Sequence, residues 1–370
     1  GNSQGHRLHS CAKWTEVLGQ GSRYTRFMTR WIPVRYIAAV VLMVCVFTLP
    51  GCYYLQAAQG QWSLLRSAEP IDTVIEDPQT DTQLRDRLAL TQDALAFAHT
   101  VLDLPDNGSY RRYADIDRDF LVMNVFAAPE FSLTPHTWCY PFVGCVAYRG
   151  YFKAESAERY AERLRVRGLD VHLGKTAAYS TLGKFDDPII STMLKRTDYS
   201  LIWLLFHELT HQVIYVEGAT AFNEAFASAV ADEGVRRWYS ERGGGPSDAA
   251  MAQFRERGKA MRDLIRRTRE DLDQIYRSEL TDVQRRASKQ AVFEQLATDW
   301  SAAQLRGSPP ANNAALVAIA LYDDLTPAFA NLLKDECDCQ LPCLFDRVHE
   351  LGALAPADRS AAIRSYLPDQ

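Results

Sequence analysis

The chain has 370 residues, of which 47% are hydrophobic and 24% are charged. This balance is that of a folded globular protein, and it excludes a disordered chain and a transporter with many membrane spans. The formal net charge is −5, but residues 1–51 hold six basic residues and one acid, which leaves 35 basic against 45 acidic residues beyond them, a net charge of −10. We expect no nucleic-acid partner, because phosphate backbones repel an acidic surface.

Residues 1–51 have the features of an N-terminal extension followed by a signal peptide. Tyr36–Leu49 is an uncharged run that follows Arg30 and Arg35, and it is shorter than the roughly 20 apolar residues that span a bilayer. Directly after it, Leu49-Pro50-Gly51-Cys52 resembles the lipobox of bacterial lipoproteins. This resemblance implies a lipid on the Cys52 sulfur and a membrane partner; the alternative is a short anchor helix with an ordinary thiol.

The residue after Cys52 bears on location within the cell envelope. Lipoproteins kept in the inner membrane of many Gram-negative bacteria resemble one another in an aspartate at this position, whereas this chain has Tyr53. We therefore expect a lipid-anchored protein of the bacterial cell envelope, on the outer membrane and facing the periplasm.

Periodicity beyond Cys52 predicts an α+β fold. Residues 52–80 are expected to be a tether, and Thr82–Leu104 to be a helix that ends at Pro105. Strands are expected next at residues 120–126, 144–152 and 170–173, with a further short strand at 179–183. A helix is expected at residues 154–167, between the second and third of these strands. The chain becomes helical from Asp198, with a helical hairpin at 248–305 and a last helix at 313–333 that is interrupted near Pro327. We thus predict one unit at 81–370, comprising an α/β part (81–197), metal-binding helices (198–240) and a helical part (241–370).

Five cysteines follow Cys52, an odd number that leaves one thiol free. An oxidising compartment permits disulfides, and Pro141 and Gly144 allow the turn that a local bridge between Cys139 and Cys145 needs; two buried thiols are the alternative. A zinc knuckle is less favoured for the other three (Cys337, Cys339 and Cys343), because Cys337 and Cys339 lack the usual two-residue gap.

The strongest chemical signal is His207-Glu208-Leu209-Thr210-His211, which follows an apolar run and has Asp198 or Ser200 as the expected helix cap. Two histidines four residues apart lie on one face of a helix and can share a metal ion. Glu208 can then act as a general base on a metal-activated water. The alternative is an exposed turn with incidental histidines, but unpaired polar groups in an apolar helix cost about 1 to 3 kcal/mol each.

A zinc site of this kind requires a third protein ligand. Asn223-Glu224-Ala-Phe-Ala227 opens the next helix, and together with the histidine motif it resembles the gluzincin peptidases, in which the second glutamate is a ligand. The resemblance implies Glu224 as that ligand, although its distance from His211 is shorter than in most gluzincins. Two rivals stay open: Glu217, at the spacing of metzincin ligands, and Glu233, on the opposite side of the second helix from Glu224.

Further segments resemble a family of bacterial lipoproteins described as aminopeptidases. These segments are Asn107–Tyr110, Trp138–Cys145, Tyr148–Phe152, Tyr179–Gly183 and Phe185–Pro188. The resemblance implies a zincin-like fold, in which Tyr179–Gly183 could be an edge strand that pairs with substrate, and in which Tyr322 could donate to the oxyanion. An ordinary core strand and a packed aromatic side chain are the alternatives.

These observations together predict a zinc-dependent, aminopeptidase-like enzyme acting on peptide substrates. The metal ligands are His207, His211 and Glu224, and the base is Glu208. Two other functions stay open: a catalytically inactive binding or scaffold lipoprotein, and a metallohydrolase that cleaves a non-peptide bond. The sequence predicts neither the cleavage position nor the oligomeric state.

Overall fold

The computed structural model describes residues 51–140, 144–176, 181–243, 248–323 and 325–367. Helices α1 to α13 run in chain order as Gly51–Ser67, Ile71–Glu76, Thr82–Val101, Ala154–Val166, Ser191–Leu194, Asp198–Thr210, Thr220–Arg242, Asp248–Arg277, Asp282–Ala302, Asn313–Asp323, Thr326–Asp335, Leu341–Ala353 and Pro356–Arg364. Strands β1 to β8 are Glu69–Pro70, Arg112–Ala114, Val122–Pro129, Trp138–Tyr140, Gly144–Val146, Arg149–Tyr151, Leu169–Thr176 and Ile189–Ile190. The predicted α+β class with a mostly helical C-terminal part is confirmed.

The strands form small sheets with the orders β1-β2-β8, β6-β3-β7 and β4-β5. The central strand β3 pairs antiparallel with both neighbours, and its register with β7 runs from Val122 opposite Thr176 to Pro129 opposite Leu169. Val125 and Ala127 pack in one apolar cluster with α4, while Phe126 and Ala128 pack in another with α10. Side chains alternate along a strand, so these clusters cover both faces of β3, which is apolar apart from the buried Asn124.

Helices α6 and α7 lie at the centre of the main core. Phe206 of α6 stacks on Phe97 of α3 with ring centroids 6.0 Å apart, and Phe226 of α7 lies 5.7 Å from Phe329 of α11. A Cβ on Gly234 would lie 2.7 Å from a ring carbon of Phe206, so glycine is what lets the two helices approach closely here. The histidine motif is therefore held in a well-packed part of the molecule.

The predicted helical hairpin is confirmed as α8 and α9, which pack against each other. A capping box fixes the start of α9, in which Thr281 and Gln284 each satisfy a backbone N–H of the other. The expected interruption of the last apolar helix is also found, since α11 begins at Thr326 with Pro327 in its first turn.

Two stretches differ from the prediction. The expected tether, residues 52–80, carries α1, β1 and α2, and its residues Leu64, Ala68 and Ile71 are buried in the main core. Thr181–Gly183 forms a turn and not a strand, with Leu182 and Gly183 both at positive φ; Tyr179 and Ser180 lie outside the described residues. The expected tether is folded because its apolar residues between 53 and 76 pack against the rest of the domain.

The disulfide prediction is confirmed, because Cys139 and Cys145 are bridged across β4 and β5. A second bridge joins Cys337 and Cys343, and Cys339 is the free, exposed thiol among the described cysteines. In the described part of the chain, no helix combines the length and the apolar composition that a membrane span needs.

Candidate metal centre

The first two members of the site are His207, on α6, and His211, the residue that follows the end of α6. Thr197 caps the helix by accepting a hydrogen bond from the Ser200 N–H at 3.3 Å. The cap expected at Asp198 or Ser200 is therefore wrong, because the capping residue lies just before both of them. Asp198 instead pairs with Arg87 from the first turn. His211 follows the last helical residue, and its N–H still bonds to the carbonyl of His207 at 3.3 Å. Both imidazoles therefore lie on one face, as the spacing predicts.

Three side-chain atoms converge at this face of α6. His207 Nε2 lies 3.2 Å from His211 Nε2 and 3.2 Å from Glu224 Oε2, and His211 Nε2 lies 3.5 Å from the same oxygen. The exposed fractions of the three residues are 4%, 8% and 8%. Nitrogen and oxygen atoms that converge so closely in a buried place are suited to share a cation, and this group could hold a metal ion.

The connection between α6 and α7 explains how Glu224 reaches the histidines across a short gap. The Asn223 side chain accepts a hydrogen bond from the Val216 N–H at 2.9 Å and donates one to the Val216 carbonyl at 2.8 Å. Gly218 has a φ of 72°, which favours glycine and lets the chain reverse. This closed turn starts α7 at Thr220 and directs Glu224 towards α6.

The two rival ligands do not join the group. Glu217 is exposed on the turn. Glu233 is bound to two guanidinium groups, those of Arg236 and Arg237, each at 2.7 Å. Within the described residues, His207, His211 and Glu224 form the one group of three with metal-ligand geometry.

Burial and mutual charge set the protonation of these side chains. Burial raises the pKa of the Glu208 carboxyl to about 7, against a smaller opposing effect of His211. Burial alone would also raise the pKa of Glu224, but the two adjacent imidazoles outweigh it and hold that pKa below its usual range. Burial lowers the pKa of His207, whereas the Glu224 carboxylate raises that of His211 in spite of burial. The site thus contains one carboxylate held in its charged form and one poised to exchange a proton near neutral pH.

Tyr148, which sequence reasoning did not select as a site residue, lies close enough to the two carboxylates for their charges to act on it. Burial raises the pKa of Tyr148, and the negative charges of Glu224 and Glu208 raise it further. Its ring packs on Phe126 of β3, with ring centroids 5.7 Å apart. A protonated phenol here can donate a hydrogen bond. The tyrosine proposed from the sequence, Tyr322, has a side chain outside the described residues, as has Cys52.

Segments that carry the family resemblance meet beside His211. The next residue, Gln212, accepts a hydrogen bond from Asn107 at 2.8 Å and donates one to the Ser109 hydroxyl at 3.3 Å. Gly183 approaches the same place, since a Cβ on it would lie 2.9 Å from the Asn107 amide nitrogen. These contacts join parts of the chain that are 76 to 105 residues apart, so only the fold brings them together.

Comparison with known proteins agrees with the resemblance. A family model described as "Putative aminopeptidase" matches residues 52–363, which is well over half of the chain and includes all of the site residues named above. None of the curated proteins and none of the solved structures matches the chain. Membership indicates, at a coarse level, a peptidase-like function. The chain belongs to the family that carries this aminopeptidase description.

Proposed function

We propose that this protein is a zinc-dependent peptidase of the aminopeptidase type, with His207, His211 and Glu224 as ligands and Glu208 as the general base. The convergence of the three ligand atoms is the observation that carries this proposal. Ligand atoms bonded at about 2.0–2.1 Å to a tetrahedral zinc lie about 3.3–3.4 Å from one another. The separations here are 3.2, 3.2 and 3.5 Å. Two imidazoles with one carboxylate are also a donor set that catalytic zinc sites use.

A zinc ion held by His207, His211 and Glu224 would supply Lewis-acid chemistry, lowering the pKa of a bound water molecule and polarising the scissile carbonyl. Glu208 follows the first ligand in sequence and is not among the three converging groups, so its carboxylate is available to accept a proton from the attacking water. It then delivers that proton to the leaving amine nitrogen. Its pKa of about 7 suits a group that must both accept and release a proton near neutral pH.

We also propose that the protein works at a membrane surface, anchored through a lipid on Cys52 and facing the periplasm from the outer membrane. The lipobox-like Leu49-Pro50-Gly51-Cys52 after an uncharged run supports this location. Two disulfides among the described cysteines fit an oxidising compartment. Incubation of the full chain with a labelled fatty acid in a bacterial host, compared with Cys52→Ala, tests the anchor.

The experiment that tests the catalytic proposal compares the full chain with Glu208→Gln. The variant keeps the ligands, so its metal content should match that of the parent, while its turnover of a peptide library should fall by about 10²- to 10⁴-fold. A fully active Glu208→Gln enzyme would remove Glu208 from the mechanism.

The same assay separates the other two functions. Hydrolysis of esters or non-peptide amides without hydrolysis of any peptide would indicate a metallohydrolase of different substrate class. Binding of peptides without turnover by the zinc-loaded parent would indicate an inactive binding protein. N-terminally blocked peptides decide the cleavage mode, because an aminopeptidase requires the free amine.

A further inference from the structure

Helix α1, Gly51–Ser67, exposes large apolar side chains on its solvent face. Leu55 is 61% exposed and Trp62 is 64% exposed. They are seven residues apart, which is close to two helical turns, so they lie on the same face. Few large hydrophobic side chains are this exposed in the described part of the chain, and two of them are on this one helix.

The opposite face of α1 is fixed to the domain. Gln56 accepts a hydrogen bond from the N–H of Phe152 at 3.2 Å, just beyond the end of β6. Gly60 lies against the Phe152 ring, because a Cβ on it would be 2.3 Å from a ring carbon. The Arg149 guanidinium lies over the Tyr53 ring at 3.9 Å, and Leu64 is buried in the main core. The helix is thus held from its first turn to its last and cannot swing as a flexible linker.

The position of α1 in the sequence favours a membrane as the partner of its outer face. The uncharged run ends at Leu49, and the lipobox-like residues Leu49–Cys52 overlap the first two residues of this helix. Under the anchorage proposed above, the chain enters α1 directly from the membrane, either through a lipid on Cys52 or through a run that stays in the bilayer. The helix contains no acidic residue, and its single charge is on Arg66. Tryptophan and leucine on a helix without acidic residues suit the interfacial layer of a bilayer.

We propose that α1 lies in the membrane interface with Leu55 and Trp62 inserted among the lipids, so that the peptidase domain is seated on the membrane in one orientation. This rests on the membrane anchorage proposed above. The site would then lie at a fixed position relative to the bilayer surface and act on peptides that reach it there. A domain on a flexible tether would have no such fixed position.

Fluorescence quenching by brominated lipids tests this seating. The full chain is reconstituted into vesicles of phosphatidylethanolamine and phosphatidylglycerol, with and without bromine on the acyl chains. We expect brominated lipid to quench the tryptophan fluorescence of the parent more than that of Trp62→Phe. The difference in quenching between the two proteins is the contribution of Trp62. Leu55→Gln should reduce that difference by loosening the insertion, whereas Val283→Gln, which changes an exposed apolar residue on α9, should leave it unchanged.

Three outcomes would overturn the proposal, and each points to a different explanation. A chain that floats with the vesicles but shows equal quenching in the parent and Trp62→Phe is anchored without a seated α1. A chain that does not float at all refutes the anchorage on which the seating rests, and leaves the peptidase proposal unaffected. Trp62 emission that depends on protein concentration in detergent, and not on brominated lipid, assigns the face to a second copy of the chain.

Discussion

The indole ring of Trp203 stacks on the imidazole of His207, with ring centroids 4.8 Å apart and planes inclined by 23°. The indole N–H donates a hydrogen bond to Asp232 Oδ1 at 2.7 Å, which fixes the indole between α6 and α7. His207 Nδ1 is buried and has no hydrogen-bond partner among the described residues. Ring stacking therefore orients this imidazole. In most histidine ligands of metals, a hydrogen bond from the second ring nitrogen to a carboxylate or carbonyl fixes the orientation of the ring.

Removal of this contact should weaken metal binding. We expect Trp203→Leu to lower zinc affinity by about 10- to 100-fold, the range for partners that orient a ligand, because the imidazole would gain rotational freedom. Trp203→Phe keeps an aromatic ring and should lose less. Zinc affinity is measured by competition with a chromophoric chelator, and Trp62→Leu serves as the control at an exposed tryptophan. Equal affinities for Trp203→Leu and the parent would show that the stacking does not orient the ligand.

A matched pair of glutamates on α7 tests the third ligand. Glu224→Gln removes the carboxylate that converges with the histidines and should abolish zinc retention after dialysis. Glu233→Gln changes a carboxylate that pairs with Arg236 and Arg237 on another side of the same helix and should retain zinc. Metal analysis of the two folded variants decides the matter. Zinc loss in Glu233→Gln with retention in Glu224→Gln would reverse the assignment.

Tyr148→Phe tests the phenol that faces the carboxylates. If the hydroxyl donates to the oxyanion as the peptide carbonyl is attacked, its loss should lower kcat by about 10²- to 10³-fold with little change in KM, the range for one such donor. Zinc content should be unaffected, since Tyr148 is not in the ligand group. A lower zinc content in this variant, or a change confined to KM, would argue against the role.

Asp187 should make stability depend on pH in a direction opposite to that of most carboxylates. It is 4% exposed and accepts hydrogen bonds from the Thr181 N–H at 2.7 Å and hydroxyl at 3.0 Å, and burial raises its pKa from 3.8 to about 6. Because the folded state binds this proton more tightly than the unfolded state, stability falls as the pH rises from about 4 to about 6 and then levels off.

The effect is isolated by comparison with Asp187→Asn, which cannot ionise. The stability of the parent relative to this variant should decrease by about 2.5 kcal/mol between pH 4 and 7, which is most of the roughly 3 kcal/mol that the pKa rise corresponds to at 1.36 kcal/mol per pH unit. Urea unfolding at several pH values measures it. A constant difference between the two proteins across this range would show that Asp187 is not protonated preferentially in the folded state.

Local pattern was sufficient for much of this protein. Helical periodicity predicted α3, α4 and the α8–α9 hairpin, because burial of one face leaves a repeat in the sequence. The four-residue spacing of His207 and His211 placed both imidazoles on one face before any packing was known. The bridge between Cys139 and Cys145 followed from a short segment that can turn back on itself.

Contacts between distant residues were beyond the reach of local pattern. Glu224 converges with the histidines because the two hydrogen bonds between Asn223 and Val216 hold the turn before α7, whereas Glu233 pairs with two arginines. Spacing along a single sequence does not encode which carboxylate a neighbour neutralises. Tyr148 comes near the site only once β3 has packed against the helices. Trp203 lies one turn before His207 on α6, so spacing alone places it beside the imidazole, but the Asp232 carboxylate that fixes it comes from α7. The supposed tether folds because its apolar residues Leu64, Ala68 and Ile71 are buried in the main core, against residues distant in sequence. Helical geometry is a property of neighbours in sequence, whereas burial and charge pairing are properties of neighbours in space.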